Sequence, residues 1–262
     1  MSLWAQKRQL TYASVVVFIV LLGIALPLYF IFIYHPASCF DGVQNQGEEG
    51  IDCGGPCSKV CASDAQAPVV HFQRFFEVTP GVYSVVALVE NPNISTFADN
   101  VPYDFRLYDS NGVVIAERTG TTFMLPNTVF PIFESNLQTG ARTAVRASFS
   151  FTGPTPNWQK KTYILPNLVV TNQILSAASS TATTSPRLDA TLQNDSDYTV
   201  SNVEVVALLY DATGNAVGAS DTIVNSIAPR LSTALVYTWP QNFSTPVTKI
   251  VITPKIYPIF NQ

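Results

Sequence analysis

Hydrophobic and polar positions divide the chain into three regimes. From Tyr12 to Tyr34 the run YASVVVFIVLLGIALPLYFIFIY carries no charged residue. At about 1.5 Å per residue, a helix of that length reaches roughly 34 Å, enough to cross a hydrocarbon core of about 30 Å. Lipid offers no partner to a peptide group, so the run is predicted to be helical, with Pro27 tolerated inside it. Tyr12, Tyr29 and Tyr34 stand toward its ends, where amphipathic rings favour headgroup level. Residues 38–61 are then polar and glycine-rich. Beyond residue 66 apolar positions return in short runs of period two, separated by turn residues, and no long amphipathic helix can be written.

The third regime reads twice. Val85-Val86-Ala87-Leu88-Val89-Glu90-Asn91 corresponds to Leu188-Asp189-Ala190-Thr191-Leu192-Gln193-Asn194. Tyr103-Asp104-Phe105-Arg106-Leu107-Tyr108-Asp109 corresponds to Val205-Val206-Ala207-Leu208-Leu209-Tyr210-Asp211, and Pro126 to Pro229. The offset stays at about 102–103 residues, which chance apolar runs would not maintain. Val101, Tyr103, Phe105 and Leu107 alternate with polar or smaller partners, as do Val203, Val205, Ala207 and Leu209, giving each strand one buried face. Asp109-Ser110-Asn111-Gly112 and Asp211-Ala212-Thr213-Gly214 are tight-turn signals, because Asn and Gly accept positive φ cheaply. Further strands are expected at Val69–Phe76, Val113–Arg118, Val129–Asn136, Thr143–Phe151 and Thr162–Leu168 in the first copy. In the second they are expected at Val169–Leu175, Val217–Ile223, Ser232–Trp239 and Thr248–Lys255. The low-complexity stretch 177–184 reads as a loop or flexible joint. Six or seven short strands per copy imply an antiparallel sandwich.

The predicted organisation is mainly β: a short cytoplasmic N-terminus (1–11), a transmembrane helix (12–34), a cysteine-rich neck (35–65) and two tandem sandwiches (66–166 and 167–262). Lys7 and Arg8 precede the apolar run, and the first charges after it are Asp41, Glu48, Glu49 and Asp52. That asymmetry places the N-terminus in the cytoplasm and the rest outside. A cleaved signal peptide would have a shorter apolar core. Pro36-Ala37-Ser38-Cys39 leaves a lipidation reading open, with Pro36 off the usual pattern.

Composition narrows the function. Charged residues are only 12% of the 262, and the net charge of −4 gives no basic footprint for nucleic acid. All four cysteines, Cys39, Cys53, Cys57 and Cys61, fall in one segment too poor in apolar residues to bury a core. On the side assigned as external they are expected to form two disulfides, with three connectivities open. Zinc would want paired C-x-x-C spacing, which is missing. Asp41, Asn45, Glu48 and Asp52 offer oxygen ligands on a glycine-rich loop, the chemistry calcium takes, although the spacing is not that of an EF-hand. No other cofactor is implied. Asn93, Asn194 and Asn242 each begin an Asn-x-Ser sequon and are glycosylation candidates.

Two resemblances sharpen this reading. The segment SCFDGVQNQGEEGIDCGGPCSKVC resembles an extracellular motif of form C-x-DG-x-x-N-x-GE-x-G-x-DCGG-x-C, through Asp41, Gly42, Asn45, Gly47, Glu48, Gly50, Asp52, Cys53, Gly54, Gly55 and Cys57. It implies a small stapled unit. The phrase Phe105-Arg106-Leu107-Tyr108-Asp109 is similar to the signature of the FxLYD family of extracytoplasmic immunoglobulin-like domains; the second copy departs from it with Ala207 in place of the Phe. That resemblance implies an immunoglobulin-like fold outside the membrane and no catalytic residue. Tyr108 and Tyr210 are expected to pack in the core with their hydroxyls at the rim. Only two histidines are present, and GxSxG and a phosphate-cradling glycine loop are missing. A binding, adhesion or spacer protein is expected, with membrane lipid and a protein or surface partner. The alternative is a structural subunit of a larger envelope assembly, such as a secretion, pilus or transporter complex.

Overall fold

A computed structural model describes residues 3–32, 38–176 and 185–260. The stretch 177–184, Tyr34 at the expected helix end, and His35 lie outside the described residues. The chain divides into two compact units, residues 1–57 and 58–262.

In the first unit, α1 spans Leu3–Phe32 and contains Pro27. Within it, Gln6–Ile31 is long and apolar enough to cross a membrane. The helix begins nine residues before the expected Tyr12, because Lys7 and Arg8 are good helix formers and extend it through the basic flank. After Phe32 the described chain resumes at the cysteine segment.

The second unit is built almost wholly of antiparallel strands. The first copy contributes β1 (Val69–Thr79), β2 (Val82–Asn91), β3 (Phe97–Tyr108), β4 (Val114–Met124), β5 (Thr128–Gln138) and β6 (Arg146–Phe151). Two short strands follow, β7 (Trp158–Gln159) and β8 (Tyr163–Ile164). The second copy contributes β9 (Leu168–Ser176), β10 (Arg187–Asn194), β11 (Val200–Tyr210), β12 (Ala216–Ile227), β13 (Ser232–Thr238) and β14 (Lys249–Lys255), and β15 (Ile259–Phe260) closes the chain. The first copy forms sheets β1-β2-β5 and β4-β3-β6, with β7 also paired to β3. The second repeats both orders as β9-β10-β13 and β12-β11-β14. The expected strand Thr162–Leu168 is instead the two-residue β8, and Leu168 opens β9.

Corresponding residues hold corresponding places. Asn91 and Asn194 end β2 and β10, and both are fully buried. The Asn91 amide donates to the carbonyls of Thr96 and Leu125 at 2.8 and 2.9 Å. The Asn194 amide donates to those of Tyr198, Ile227 and Ala228. Each carboxamide oxygen accepts a backbone N–H two residues on, from Asn93 and from Ser196. Asp109 and Asp211 close the β3–β4 and β11–β12 turns by accepting backbone N–H groups two and four residues ahead. After Pro126 and Pro229, Asn127 and Arg230 both take positive φ, 49° and 59°, as the third residue of a type II turn must.

Alternation along the strands sorts the apolar residues into three cores. Val85, Ala87 and Val89 meet Phe105, Leu107, Ile132 and Trp158 between the two sheets of the first copy. Leu188, Leu192, Val203, Val205, Leu209 and Tyr237 do the same in the second. The third core joins the copies: Val86 and Phe133 from sheet β1-β2-β5 pack on Val206, Leu208 and Ala219 from sheet β12-β11-β14, with Phe72, Phe76, Leu88 and Tyr210 at its margin. β2 and β11 are therefore buried on both faces, where alternation had predicted one buried face for β11. The four sheets stack in the order β4-β3-β6, β1-β2-β5, β12-β11-β14, β9-β10-β13.

The stack stops at four layers for a reason visible in the repeat. Positions Val206 and Leu208, which face the third core, correspond to Asp104 and Arg106 on the outer face of β3, where they form a 2.7 Å ion pair. Val86 and Leu88 correspond to Asp189 and Thr191 on β10, and Asp189 pairs with Arg187 at 2.7 Å. Apolar residues at one place and polar or charged ones at its counterpart make one face adhesive and leave the equivalent face polar. A heterologous contact that could otherwise propagate is closed after two copies.

The C-terminal segment also crosses from the second copy to the first. The Tyr257 hydroxyl donates to the Asp99 carboxylate at 2.6 Å, and its ring meets Phe97 and Phe123 edge-on. Lys255 lies over the Phe123 and Phe130 rings and pairs with Glu204 at 3.4 Å. Ile259 and Phe260 pair with Ile164 and Tyr163.

Candidate functional site

The cysteine segment folds around its turns rather than a core. Cys39 pairs with Cys57, their Cα atoms 5.6 Å apart, and Cys53 and Cys61 are also disulfide-bonded. The open choice of connectivity is thereby closed. A sulfur held in a disulfide is neither a zinc ligand nor a lipid acceptor, so neither alternative for these cysteines survives. Gly55 has φ 53°, and a side chain there would run into the Gly47 carbonyl, which fixes glycine at this point.

The three carboxylates among the calcium candidates accept backbone N–H groups. Asp41 Oδ1 accepts the Val43 N–H at 2.9 Å, and Oδ2 accepts the Ser38 N–H and the Asn45 amide. Both oxygens of Asp52 accept the Gly42 N–H at 3.1 Å. Buried Glu48 accepts the N–H groups of Asn45 and Asp52, and its other oxygen lies 3.1 Å from the Cys57 sulfur. Among the described residues of this unit, the only group of three whose ligand atoms converge is Cys39, Glu48 and Cys57, and two of those are in a disulfide. Asn45 Oδ1 is buried and unpartnered. The pattern of Asp, Asn and Glu on glycine-rich backbone thus serves as a set of turn clamps.

Residues 58–61 belong to the β unit. The Lys160 N–H donates to the Ser58 carbonyl and the Val60 N–H to the Trp158 carbonyl, and Val60 enters the first core. The chain leaving the cysteine segment is thereby tied to β7.

The three sequons differ. Asn93 and Asn194 are buried, whereas Asn242 is exposed in the segment between β13 and β14. Asn242 and Ser244 line a cleft of about 280 Å³ between the copies, together with Phe75, Phe76, Ser84 and Trp239. The Trp239 indole N–H is spent on the Ala219 carbonyl at 3.1 Å.

Ionisable groups gather beside the third core. The Tyr103 hydroxyl donates to Glu134 at 2.8 Å, and burial, then that carboxylate, push its ionisation far up. Burial also raises Asp221, with Glu204 and Glu134 adding to the effect. Burial, then the hydrogen bond to Asp99, pushes Tyr257 up to about 12. In each case burial disfavours the charged form. His71 sits at the exposed edge strand with its Nε2 2.8 Å from Glu90. Tyr108 lies on the outer face of β3, not in the core: the Arg146 guanidinium stacks 3.7 Å from its ring centre and its hydroxyl meets Ser148. Tyr210 fits the expectation better, half-buried at the margin of the third core. Sequence reasoning missed the cleft and this acidic cluster, whose members come from β5, β11 and β12. No family model matches the chain, and no curated protein matches it.

Proposed function

We propose that this chain is a single-pass membrane protein whose cysteine segment and β units stand outside the cytoplasm, and that it works by binding, adhesion or spacing rather than by catalysis. One observation carries the reading: a helix long enough to span a bilayer is followed directly by four cysteines, all of them oxidised. Disulfides persist in oxidising compartments, and Lys7 and Arg8 lie on the opposite side of the apolar run. Each copy is a pair of antiparallel sheets around one core, which supports reading the two as tandem immunoglobulin-like sandwiches of the FxLYD kind. Their buried polar side chains, Asn91, Asn194 and Asp104, are engaged in holding turns and sheet faces. Fixed turns on a stacked scaffold suit presentation of loops. Purification of the full chain from its own membranes in mild detergent tests the role. A lone particle supports a free binding or spacer protein; stoichiometric partners would overturn that in favour of a fixed subunit of a larger envelope assembly.

A further inference from the structure

The fold treats the three Asn-x-Ser sequons unequally. At Asn194 the side-chain nitrogen donates to three carbonyls, Tyr198, Ile227 and Ala228, at 2.9, 3.1 and 3.2 Å, and no part of the residue reaches solvent. At Asn93 it donates to the Gln66 carbonyl and the Asn91 carboxamide oxygen, at 2.8 and 2.9 Å, with the residue only 7% exposed. A sugar on either nitrogen would displace those bonds and would have to fit inside a closed turn. A chain modified there before folding could not complete the turn at all.

Asn242 is different. Its triplet lies outside the strand ladders, between β13 and β14. The middle residue, Phe243, is a plug: it is 5% exposed, meets the Trp239 ring at 5.3 Å, and occupies the space over Gly218, where a Cβ would come within 2.8 Å of it. Anchoring the middle residue leaves Asn242 and Ser244, the two residues an Asn-x-Ser acceptor needs, exposed on either side. Both border the cleft of about 280 Å³, so a first sugar has room beside the protein surface.

We propose that Asn242 carries an N-linked glycan, transferred from a polyisoprenyl-phosphate-linked oligosaccharide, and that Asn93 and Asn194 stay bare. In the transfer, Asn242 Nδ2 bonds to the sugar C1, the bond from C1 to the phosphate oxygen breaks, the lipid phosphate leaves with the electron pair, and the amide gives up one proton. The inference rests on the β units lying outside the cytoplasm.

The test is mass spectrometry of peptides from the full chain purified from its native membranes, beside protease treatment of the same intact cells. The expected result is a hexose- or hexosamine-containing adduct on the Asn242 peptide, its loss in Asn242→Gln, and unmodified peptides for Asn93 and Asn194. A bare Asn242 peptide from cells whose β units are cut by external protease overturns the glycan alone. β units protected in intact cells overturn the placement and the glycan together. A glycan on Asn93 or Asn194 also overturns the inference, because the buried amides would then be free in the folded protein.

Discussion

Leu208 is the sharpest probe of how the two copies are joined. It is 1% exposed at the centre of the third core, against Val86 and Phe133 of the first copy. Leu208→Ala removes a buried side chain from a site that cannot collapse freely, at about 2–5 kcal/mol. For a β unit of about 200 residues, where each kcal/mol shifts the melting point by roughly 2–4 °C, that corresponds to a fall of roughly 4–20 °C. Leu208→Arg is more telling, because Arg106 is the residue at the equivalent place in the first copy. An unpaired guanidinium in the third core costs several kcal/mol. The third core is small: Val86, Phe133, Val206, Leu208 and Ala219, with the larger side chains worth at most about 1.5–3 kcal/mol each. Parting the two middle sheets relieves the charge while the first and second cores stay closed. Hydrogen exchange followed by mass spectrometry reads this directly. Leu208→Arg is expected to speed exchange in β2, β5, β11 and β12 and to leave the β signal in circular dichroism intact. Exchange identical to the parent in those strands would refute the stacked arrangement.

Other outcomes follow from the same contacts. Asn194→Ala removes the bonds to three carbonyls and to the Ser196 N–H, of which the Ala228 carbonyl keeps the Leu231 N–H, and is expected to lower stability by about 2–4 kcal/mol in denaturant titrations, with Asn91→Ala comparable in the first copy; a loss below about 0.5 kcal/mol would show that water replaces these bonds. Asp221 has its ionisation raised by burial, so the folded chain holds that proton more tightly than the unfolded one. Its contribution is therefore present below the ordinary carboxyl value of about 4 and is lost as pH rises through the folded value. Melting points should fall across that window in the parent and less steeply in Asp221→Asn; equal slopes would contradict the assignment. Because Asp41, Glu48 and Asp52 are taken up by backbone N–H groups, adding a chelator should leave the melting point unmoved, and a fall would show a bound ion contributing to stability.

Much of the β organisation is legible in the residues. The paired Asn91 and Asn194, the Asp109 and Asp211 turns and the Pro126 and Pro229 turns mark the duplication because each is fixed by local backbone chemistry. The third core was written less plainly. Val85-Val86-Ala87-Leu88-Val89 and Val205-Val206-Ala207-Leu208-Leu209 are continuous apolar runs, the mark of a strand covered on both sides. Setting Val206 and Leu208 against Asp104 and Arg106 would have shown which face is covered. What covers it depends on contacts between β2, β5, β11 and β12, far apart in sequence, and no local pattern encodes that. The disulfide pairing was illegible because four cysteines in one short segment allow three connectivities, and only the folded turns choose among them. The extra turns of α1 before Tyr12 were missed because hydropathy marks the apolar run and is blind to a basic helical extension.

Placement across the membrane is tested most directly by labelling two introduced cysteines, Gln6→Cys before the apolar run and Ser110→Cys in the exposed β3–β4 turn, with a membrane-impermeant maleimide. The predicted result is labelling of Ser110→Cys on intact cells and of Gln6→Cys only after permeabilisation. The reverse pattern would contradict it.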